Sequence, residues 1–389
     1  MNDDDNDDAF TWLEEVDSDR ALAWVRARNA EAEALLTARP EYAPLRATLK
    51  TQLDDARRIP AVARRGAWLY NLWQDEHHPR GLWRRTTLDD YRTAEPQWQT
   101  LLDLDALSAA EGEHWVWAGA AVLGPEYRRA MIALSRGGAD ACVQREFDLD
   151  ARAFVAGGFE LAEAKSELAW QDADTLYVAT DFGPGSLTDS GYPRIVKRWR
   201  RGTALADAQT VFEARPEHIW AAIHVDTTPG FERTTFERAT DFFHHETYLL
   251  DAQDQLVALD IPTDSTLTFW RDALLLQIRS DWQPGATRYP AGSLLAADAA
   301  AYLRGEPWLT SQRASTSRVS SRLALRRPMP RRSASRSASV VGCCRASSVI
   351  QAVMALSGRR GMGAVLGEPR VWCASRGRGS RKARPLWVS

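Results

Sequence analysis

The chain has 389 residues, and its 49 basic and 52 acidic side chains are unevenly distributed. Residues 312–389 hold 17 of the basic residues and one acid, Glu368, so their net charge is +16 and that of residues 1–311 is −19. A strongly negative globular part argues against nucleic acid and anionic membranes as its partners. No apolar stretch of about 18 residues occurs, so we expect no membrane-spanning helix.

The first ten residues and the cysteines indicate a cellular location. The opening segment, MNDDDNDDAF, is acidic and lacks the apolar run of a secretory signal, so residues 1–8 are predicted to be a disordered acidic tail. Cys142 is the only cysteine in residues 1–311, which excludes a disulfide framework within this part. These features predict a cytoplasmic protein.

Residues 9–59 are predicted to form a helical segment with two helices. In SDRALAWVRARNAEAEALL, Ser18 or Asp19 can act as the N-cap by accepting hydrogen bonds from free amides. In PLRATLKTQLDDARRIP, leucines recur every four residues, Pro44 suits the first turn, and Pro60 is expected to end the helix. The apolar faces of the two helices would contain Leu22, Val25, Leu35, Leu36, Leu45, Leu49 and Leu53.

Residues 60–311 show the pattern of an all-β repeat protein. Short apolar runs such as AWLYNLWQD, RAMIALS, TLYVAT and TLTFWRDALLLQI are separated by Gly, Asp and Pro. Four tryptophans lie about 50 residues apart, a spacing that suits four-stranded propeller blades with tryptophan in their cores. They are Trp68, Trp117, Trp170 and Trp220. We therefore predict a mainly β fold, an incomplete propeller of about five blades. A β-sandwich pair with chance tryptophan spacing is the alternative.

Three long segments resemble the prolyl oligopeptidase family of serine peptidases. Trp12–Ala30 is similar to the family's N-terminal signature, in which a Trp-Leu-Glu-acid motif precedes an Ala-Trp-Val helix. Tyr70–Tyr91 contains Asn-Leu-Trp, His-Pro-Arg-Gly and Arg-Arg-Thr in the order of the family's first propeller strands. Arg145–Thr203 resembles the bacterial branch closely. The resemblance covers roughly residues 10–305.

The resemblance implies a two-domain enzyme that cleaves short peptides, typically after proline. A seven-bladed propeller would cap an α/β-hydrolase domain and act as a size filter, with the N-terminal helices packed against the hydrolase. The hydrolase domain would lie at the C-terminal end and carry a serine on a G-x-S-x-G turn, followed by an aspartate and a histidine. No cofactor is implied.

The catalytic groups of that domain are absent from this sequence. No G-x-S-x-G turn occurs, and Ser357 lies in ALSGRR without a glycine two residues before it. All seven histidines lie between His77 and His245, and residues 312–389 contain no Asp or His. A triad cannot be assembled there. We assign no catalytic, cofactor-binding or metal-binding residue and expect the chain to be inactive alone, although a second polypeptide could supply the hydrolase domain in trans.

The composition changes at Ser311, where serine and arginine begin to alternate and acidic residues vanish. We interpret residues 312–389 as a disordered tail, translated out of frame from a GC-rich gene. One alternative is a basic arm that binds nucleic acid in a salt-sensitive manner. Another is a propeller that works purely as a binding platform, with the enzyme domain lost.

Four shorter motifs have simple explanations. Glu76–Pro79 and His244–Glu246 contain paired histidines, but neighbours on a strand point to opposite faces and cannot both bind one metal ion. The Asp-Phe-Gly of Asp181–Gly183 predicts a turn, because no other kinase motif accompanies it. The segment GPGSLTDSGYPR, from Gly183 to Arg194, predicts an exposed blade loop.

Overall fold

The computed structural model describes residues 9–15 and 18–306. The predicted tails of residues 1–8 and 312–389, and the interpretations placed on them, lie outside these ranges. The described chain is mainly β, with an N-terminal helical segment followed by five antiparallel sheets in the arrangement of propeller blades. The mainly β prediction is therefore confirmed.

The helical segment contains a short 3-10 turn at Thr11–Glu14 and two helices, α1 (Asp19–Thr37) and α2 (Tyr42–Leu53). The N-cap prediction is confirmed, because the Ser18 side chain accepts a hydrogen bond from the Ala21 amide at 3.2 Å.

Pro44 lies in the first turn of α2, but the helix ends at Leu53, well before Pro60. The prediction that Pro60 ends the helix was wrong. The Asp55 carboxylate accepts a bond from the Arg57 amide at 2.8 Å, a local turn that replaces helical hydrogen bonding.

The predicted apolar faces of α1 and α2 lie largely in solvent. Leu35 is 67% exposed, Leu45 58% and Leu53 65%. Ala21 is the buried residue of α1, and no residue of α2 is buried. The leucine periodicity is therefore real, but within the described residues it does not build a core.

The five sheets follow one another along the chain, and their strands pair in sequence order except that β9 of sheet 2 pairs with β7. Sheet 1 contains β1 (Ala63–Arg65), β2 (Trp68–Trp73), β3 (Leu82–Thr87) and β4 (Gln99–Asp103). Sheet 2 contains β5 (Trp115–Val122), β6 (Arg129–Arg136), β7 (Cys142–Asp148), β8 (Ala153–Phe154) and β9 (Glu160–Ala164), the last two both pairing with β7. Sheet 3 contains β10 (Glu167–Asp172), β11 (Thr175–Ala179), β12 (Ile195–Arg200) and β13 (Gln209–Glu213).

Sheet 4 contains β14 (Trp220–Asp226), β15 (Arg233–Ala239), β16 (His245–Leu250) and β17 (Leu256–Ala258). Sheet 5 contains three strands, β18 (Thr266–Trp270), β19 (Ala273–Gln277) and β20 (Leu294–Asp298). Short helices occupy connections or follow the last strand: α3 (Leu88–Tyr91), α4 (Leu104–Glu111) and α5 (Ala299–Leu303).

The tryptophan repeat marks the blades with one shift. Trp117, Trp170 and Trp220 lie on the first strands of sheets 2, 3 and 4, whereas Trp68 begins the second strand of sheet 1. The run TLTFWRDALLLQI folds as a hairpin of β18 and β19, turned at Arg271 with φ +52°. No Gly or Pro signals that turn.

Three clusters of buried apolar side chains lie between consecutive sheets. The first joins sheets 1 and 2 and contains Trp83 and Trp115; the second joins sheets 2 and 3 and contains Trp170 and Trp199. The third joins sheets 3 and 4 around Phe236. These clusters confirm that several tryptophans form blade core, because each sheet buries its faces only against its neighbours.

Candidate functional site

The first strands of sheets 2, 3 and 4 form the inner surface of the propeller. β10 packs against β5 on one side and β14 on the other, so contacts between sheets concentrate at their first strands. In a propeller, the strands that approach one another in this way surround the axis. This inner surface is where a molecule enclosed by the blades would be held, and it is our candidate site.

Glu167, at the start of β10, is an acidic residue on this surface and is itself exposed to solvent. The protein atoms crowded around it nevertheless raise the pKa of Glu167, and the nearby charge of His224 on β14 partly opposes the rise. Nε2 of His224 lies 3.6 Å from Oε2 of Glu237 on β15. These three side chains can form hydrogen bonds with a bound molecule, but none is a serine- or cysteine-type nucleophile.

One end of the inner surface is crossed by three converging hairpin turns, here called the turn cluster. It comprises Gly66 of the β1–β2 turn, Gly124 and Tyr127 of the β5–β6 turn, and Thr227 after β14. A Cβ added at Gly66 would lie 3.1 Å from the Tyr127 ring, and one at Gly124 would lie 2.6 Å from Oγ1 of Thr227. Turns of sheets 2 and 4, with sheet 3 between them, meet only across the axis. The two glycines allow this approach.

The junction of sheets 2 and 3 contains a buried carboxylate. Glu146 on β7 receives two bonds from the Arg201 guanidinium, at 2.8 and 3.0 Å, and a third from the Phe159 amide at 2.9 Å. The Glu146 side chain is 1% exposed, and Nε of Arg129 lies 3.7 Å away. The hydrogen bonds to Glu146 raise the pKa of Arg201. The pair joins two blades and is satisfied, so its role is structural.

The junction of sheets 1 and 2 is held by Arg80 of the His-Pro-Arg-Gly motif. Its backbone amide donates to the Asp105 carboxylate at 3.1 Å. Its guanidinium donates to the Trp115 carbonyl at 3.0 Å and to Nδ1 of His114 at 2.8 Å. The His-Pro-Arg-Gly motif therefore has a local structural role, which is to fix the start of β5 against the β2–β3 connection.

The junction of sheets 3 and 4 is held by an ion pair and by a loop. Arg198 on β12 binds Asp254 in the β16–β17 turn through two bonds of 2.7 and 2.8 Å, which raise the pKa of Arg198. The loop Gly183–Arg194, predicted to be exposed, instead contains Ser186 and Thr188 at 3% and 5% exposure. That prediction was wrong for these residues, because their hydroxyls are satisfied inside the loop and across the junction.

The paired histidines lie mostly in turns rather than on strands. His77 and His78 follow β2, and Oδ1 of Asp75 accepts bonds from both of their amides at 3.0 and 2.8 Å. His244 is held likewise by Asp241, while His245 begins β16. The strand geometry assumed for the first pair was therefore wrong. In residues 9–15 and 18–306, no group of three or more His, Cys, Asp or Glu side chains is placed to hold a metal ion.

Most serine hydroxyls of the described chain bind backbone groups or Asp and Thr side chains, whereas the buried Ser108 hydroxyl has no hydrogen-bond partner there. Examples are Ser186 with Asp181, Ser280 with Asp264, and Ser166 with Thr180. None of the serine bonds in the described residues ends on a histidine. Asp181 also accepts a bond from the Gly183 amide at 2.8 Å, so the Asp-Phe-Gly segment is the predicted turn.

The sequence alone did not identify the residues that join neighbouring blades. Glu146 and Arg201 are 55 residues apart, and neither belongs to a short motif. Gly124 is a partial exception, because a glycine before Pro125 between two strand runs signals a turn. Nothing in that turn signals its contact with Thr227.

Comparison with known proteins gives a consistent result. The family model of the prolyl oligopeptidase N-terminal β-propeller domain matches residues 1–267. The chain is similar to an uncharacterized peptidase of Sinorhizobium fredii, with 37% identity over 308 residues, 77% of this chain and 42% of that protein. It is also similar to an uncharacterized peptidase of Rickettsia prowazekii, with 31% identity over 315 residues, 77% of this chain and 44% of that protein.

A solved structure shows the same fold. A post-proline cleaving enzyme from Rickettsia typhi matches with a TM-score of 0.69 and 30% identity, over 74% of this chain and 44% of that one. The chain therefore spans less than half the length of each of these relatives. Among the described residues, no helix has both the length and the apolar character needed to cross a membrane.

Proposed function

Because the chain belongs to the prolyl oligopeptidase family, we propose that it is the propeller part of a serine peptidase that acts on short, proline-containing peptides. The observation that supports this most directly is the match of residues 1–267 to the family's propeller domain. The Rickettsia typhi relative is a post-proline cleaving enzyme, which supports the substrate class. In this role, the inner surface around β10 admits flexible peptides and excludes folded proteins.

We also propose that the 389-residue chain has no peptidase activity by itself. Its histidines lie between His77 and His245, and the described serines bind none of them. Without a base to take the proton of a serine, the nucleophile is not activated. Activity would need a hydrolase domain from a second polypeptide or from a corrected reading frame.

The test uses a fluorophosphonate probe, which labels activated serines. The purified chain is expected to remain unlabelled and to leave a short fluorogenic proline peptide intact. A second protein is made by sequencing the gene through codon 311 and joining residues 1–311 to the downstream frame that encodes a G-x-S-x-G turn. That protein is expected to be labelled and to cleave the short peptide but not the same sequence within a folded protein.

Two results would contradict these proposals. Labelling of the 389-residue chain itself would show that it is an active hydrolase. A confirmed frame with no hydrolase sequence downstream would remove the out-of-frame interpretation of residues 312–389, and salt-dependent nucleic-acid binding would then be measured.

A further inference from the structure

Sheet 5 is joined to the rest of the propeller less firmly than the other sheets are joined to one another. Its buried cluster is built from the sheet and its flanking segments alone. The cluster contains Leu274, Leu276, Ile278, Tyr289, Leu295, Ala297 and Ala299. In residues 220–306, no cluster of buried apolar side chains takes members from both sheets 4 and 5. Each earlier junction has such a shared cluster.

The polar contacts at this junction also differ. At the two preceding junctions, Arg201 and Arg198 bind carboxylates of the neighbouring sheet. At the junction of sheets 4 and 5, Nη2 of Arg233 donates to the carbonyl of Arg271 at 2.7 Å, and the guanidinium lies 4.5 Å from the Phe269 ring. A carbonyl is a weaker partner for a guanidinium than a carboxylate.

The environment of Arg233 is only partly satisfied. Its Nη1 atom is buried and has no hydrogen-bond partner in the described structure. Burial lowers the pKa of Arg233, and the charges of Asp226 and Asp272 partly oppose this. The unsatisfied nitrogen weakens the net attraction that Arg233 supplies, but its bond to the Arg271 carbonyl and its contact with the Phe269 ring exist only while the two sheets are together. Arg198, at the junction of sheets 3 and 4, also has one buried nitrogen without a partner, so the difference between the two junctions lies in the carboxylate that Arg198 binds.

The turn cluster also joins other sheets and not sheet 5. It ties sheets 1, 2 and 4 together through Gly66, Gly124, Tyr127 and Thr227, and these four residues include none from sheet 5. The chain between the sheets, residues 259–265, binds sheet 4 where the His245 amide donates to the Thr263 carbonyl at 2.7 Å. It also contacts the sheet 5 unit, because Ile261 packs against that unit's buried cluster and Asp264 accepts a hydrogen bond from Ser280. The connection is therefore the segment that passes from one unit to the other, which is where a hinge would lie.

We propose that sheet 5 opens as a separate unit from sheets 1–4, pivoting about residues 259–265, with Arg233 as the latch. Opening moves β18 away from β14 and gives access to the inner surface from the side. Opening of sheet 5 depends on the packing of the sheets and not on the proposed peptidase role.

Native-state hydrogen exchange of the full chain at low denaturant tests the proposal. It compares two central strands, β19 of sheet 5 and β11 of sheet 3. Amides of β19 are expected to exchange roughly tenfold faster or more, with a weaker dependence on denaturant, because a local opening exposes less surface than global unfolding. Arg233→Met is expected to speed exchange in β19 by about another tenfold, equivalent to about 1.4 kcal/mol, and to leave β11 unchanged.

Two further variants serve as controls. Arg200→Met replaces an exposed arginine within sheet 3 and is expected to change neither strand. Arg233→Lys keeps the charge and a donor for the Arg271 carbonyl and is expected to give an intermediate rate. Equal rates and equal denaturant slopes in β19 and β11 would show a single cooperative unit and overturn the proposal. An equal effect of Arg233→Met on both strands would overturn its role as the latch.

Discussion

Arg201 reaches back from the end of β12 to bind both carboxylate oxygens of Glu146, whose side chain is 1% exposed on the preceding sheet. Two other junctions repeat this use of arginine, through Arg80 and Arg198, with different partners. A propeller sheet cannot bury its faces alone, so the stability of the whole depends on the contacts between neighbours. The ion pairs add direction to contacts that are otherwise apolar.

Replacing Arg201 with methionine removes the strongest partner of a buried carboxylate. Glu146 would keep the bond from the Phe159 amide and the Arg129 guanidinium, whose Nε lies 3.7 Å away, but would lose two shorter bonds. We expect the free energy of unfolding to fall by about 2–3 kcal/mol, near the lower end for a broken buried pair, because Arg201 is partly exposed. Urea unfolding followed by tryptophan fluorescence measures the change. Arg200→Met is the matched control, and a loss of the same size there would refute the explanation.

Adding one methyl group at Gly124 tests the turn cluster. The new Cβ would lie 2.6 Å from Oγ1 of Thr227, closer than the two atoms can approach. We expect Gly124→Ala to reduce the free energy of unfolding by about 1–3 kcal/mol, the usual range for overpacking. In the Thr227→Ala background, which removes that oxygen, the loss is expected to shrink. Equal losses in both backgrounds would show that the turns do not press on each other.

The Asp75 carboxylate gives a pH-dependent contribution to stability. Burial opposes its ionisation, but bonds from the Trp73 indole and the His78 and His77 groups outweigh this and lower the pKa of Asp75 from 3.8 to about 2. The stabilisation is present above pH 3.8 and is lost as the pH falls toward 2. Asp75→Asn is expected to lower the free energy of unfolding by about 2 kcal/mol near pH 5 and to leave it almost unchanged near pH 2. Unfolding measured at several pH values checks this, and a pH-independent difference would contradict it.

The leucines of the helical segment are expected to tolerate charge. Leu45 and Leu49 on α2 are 58% and 48% exposed, so lysine at both positions should change the free energy of unfolding by less than about 0.5 kcal/mol. The same variant is expected to lower light scattering at high protein concentration, because it removes an exposed apolar patch. Leu274→Ala, at a buried position, is the contrasting control and is expected to lower the free energy of unfolding by about 2–5 kcal/mol. A comparable loss for the lysine variant would show that the leucines are packed in solution.

Local chemistry made some elements predictable. Ser18 predicted the start of α1, because an N-cap side chain bonds to amides within one turn of the helix. The strands of TLYVAT and RAMIALS were predictable because their apolar side chains are buried between sheets. The hairpin at Arg271 was not, since a left-handed arginine in a tight turn has no distinctive sequence signal.

The candidate site was less predictable than the strands around it. Its contacts join residues that are far apart in sequence, such as Gly124 with Thr227, and periodicity carries no information about such pairs. The apolar face of α2 was identified correctly from its leucines, but its burial was not, because the period of a helix does not specify what covers it. Likewise, the sequence predicted an exposed loop and did not indicate that the hydroxyls of Ser186 and Thr188 would be buried in it.

The order of the sheets along the chain has a consequence for biosynthesis. Each sheet pairs its own strands, and sheets 2, 3 and 4 each share a buried cluster with the sheet made just before them, so structure can accumulate as the polypeptide leaves the ribosome. The contact of Gly124 with Thr227 breaks this rule, because its second half emerges roughly 100 residues after its first. Until sheet 4 arrives, the β5–β6 turn has its contact with Gly66 but lacks the one with Thr227, and a pause in translation between them would prolong the exposure of that turn to chaperones.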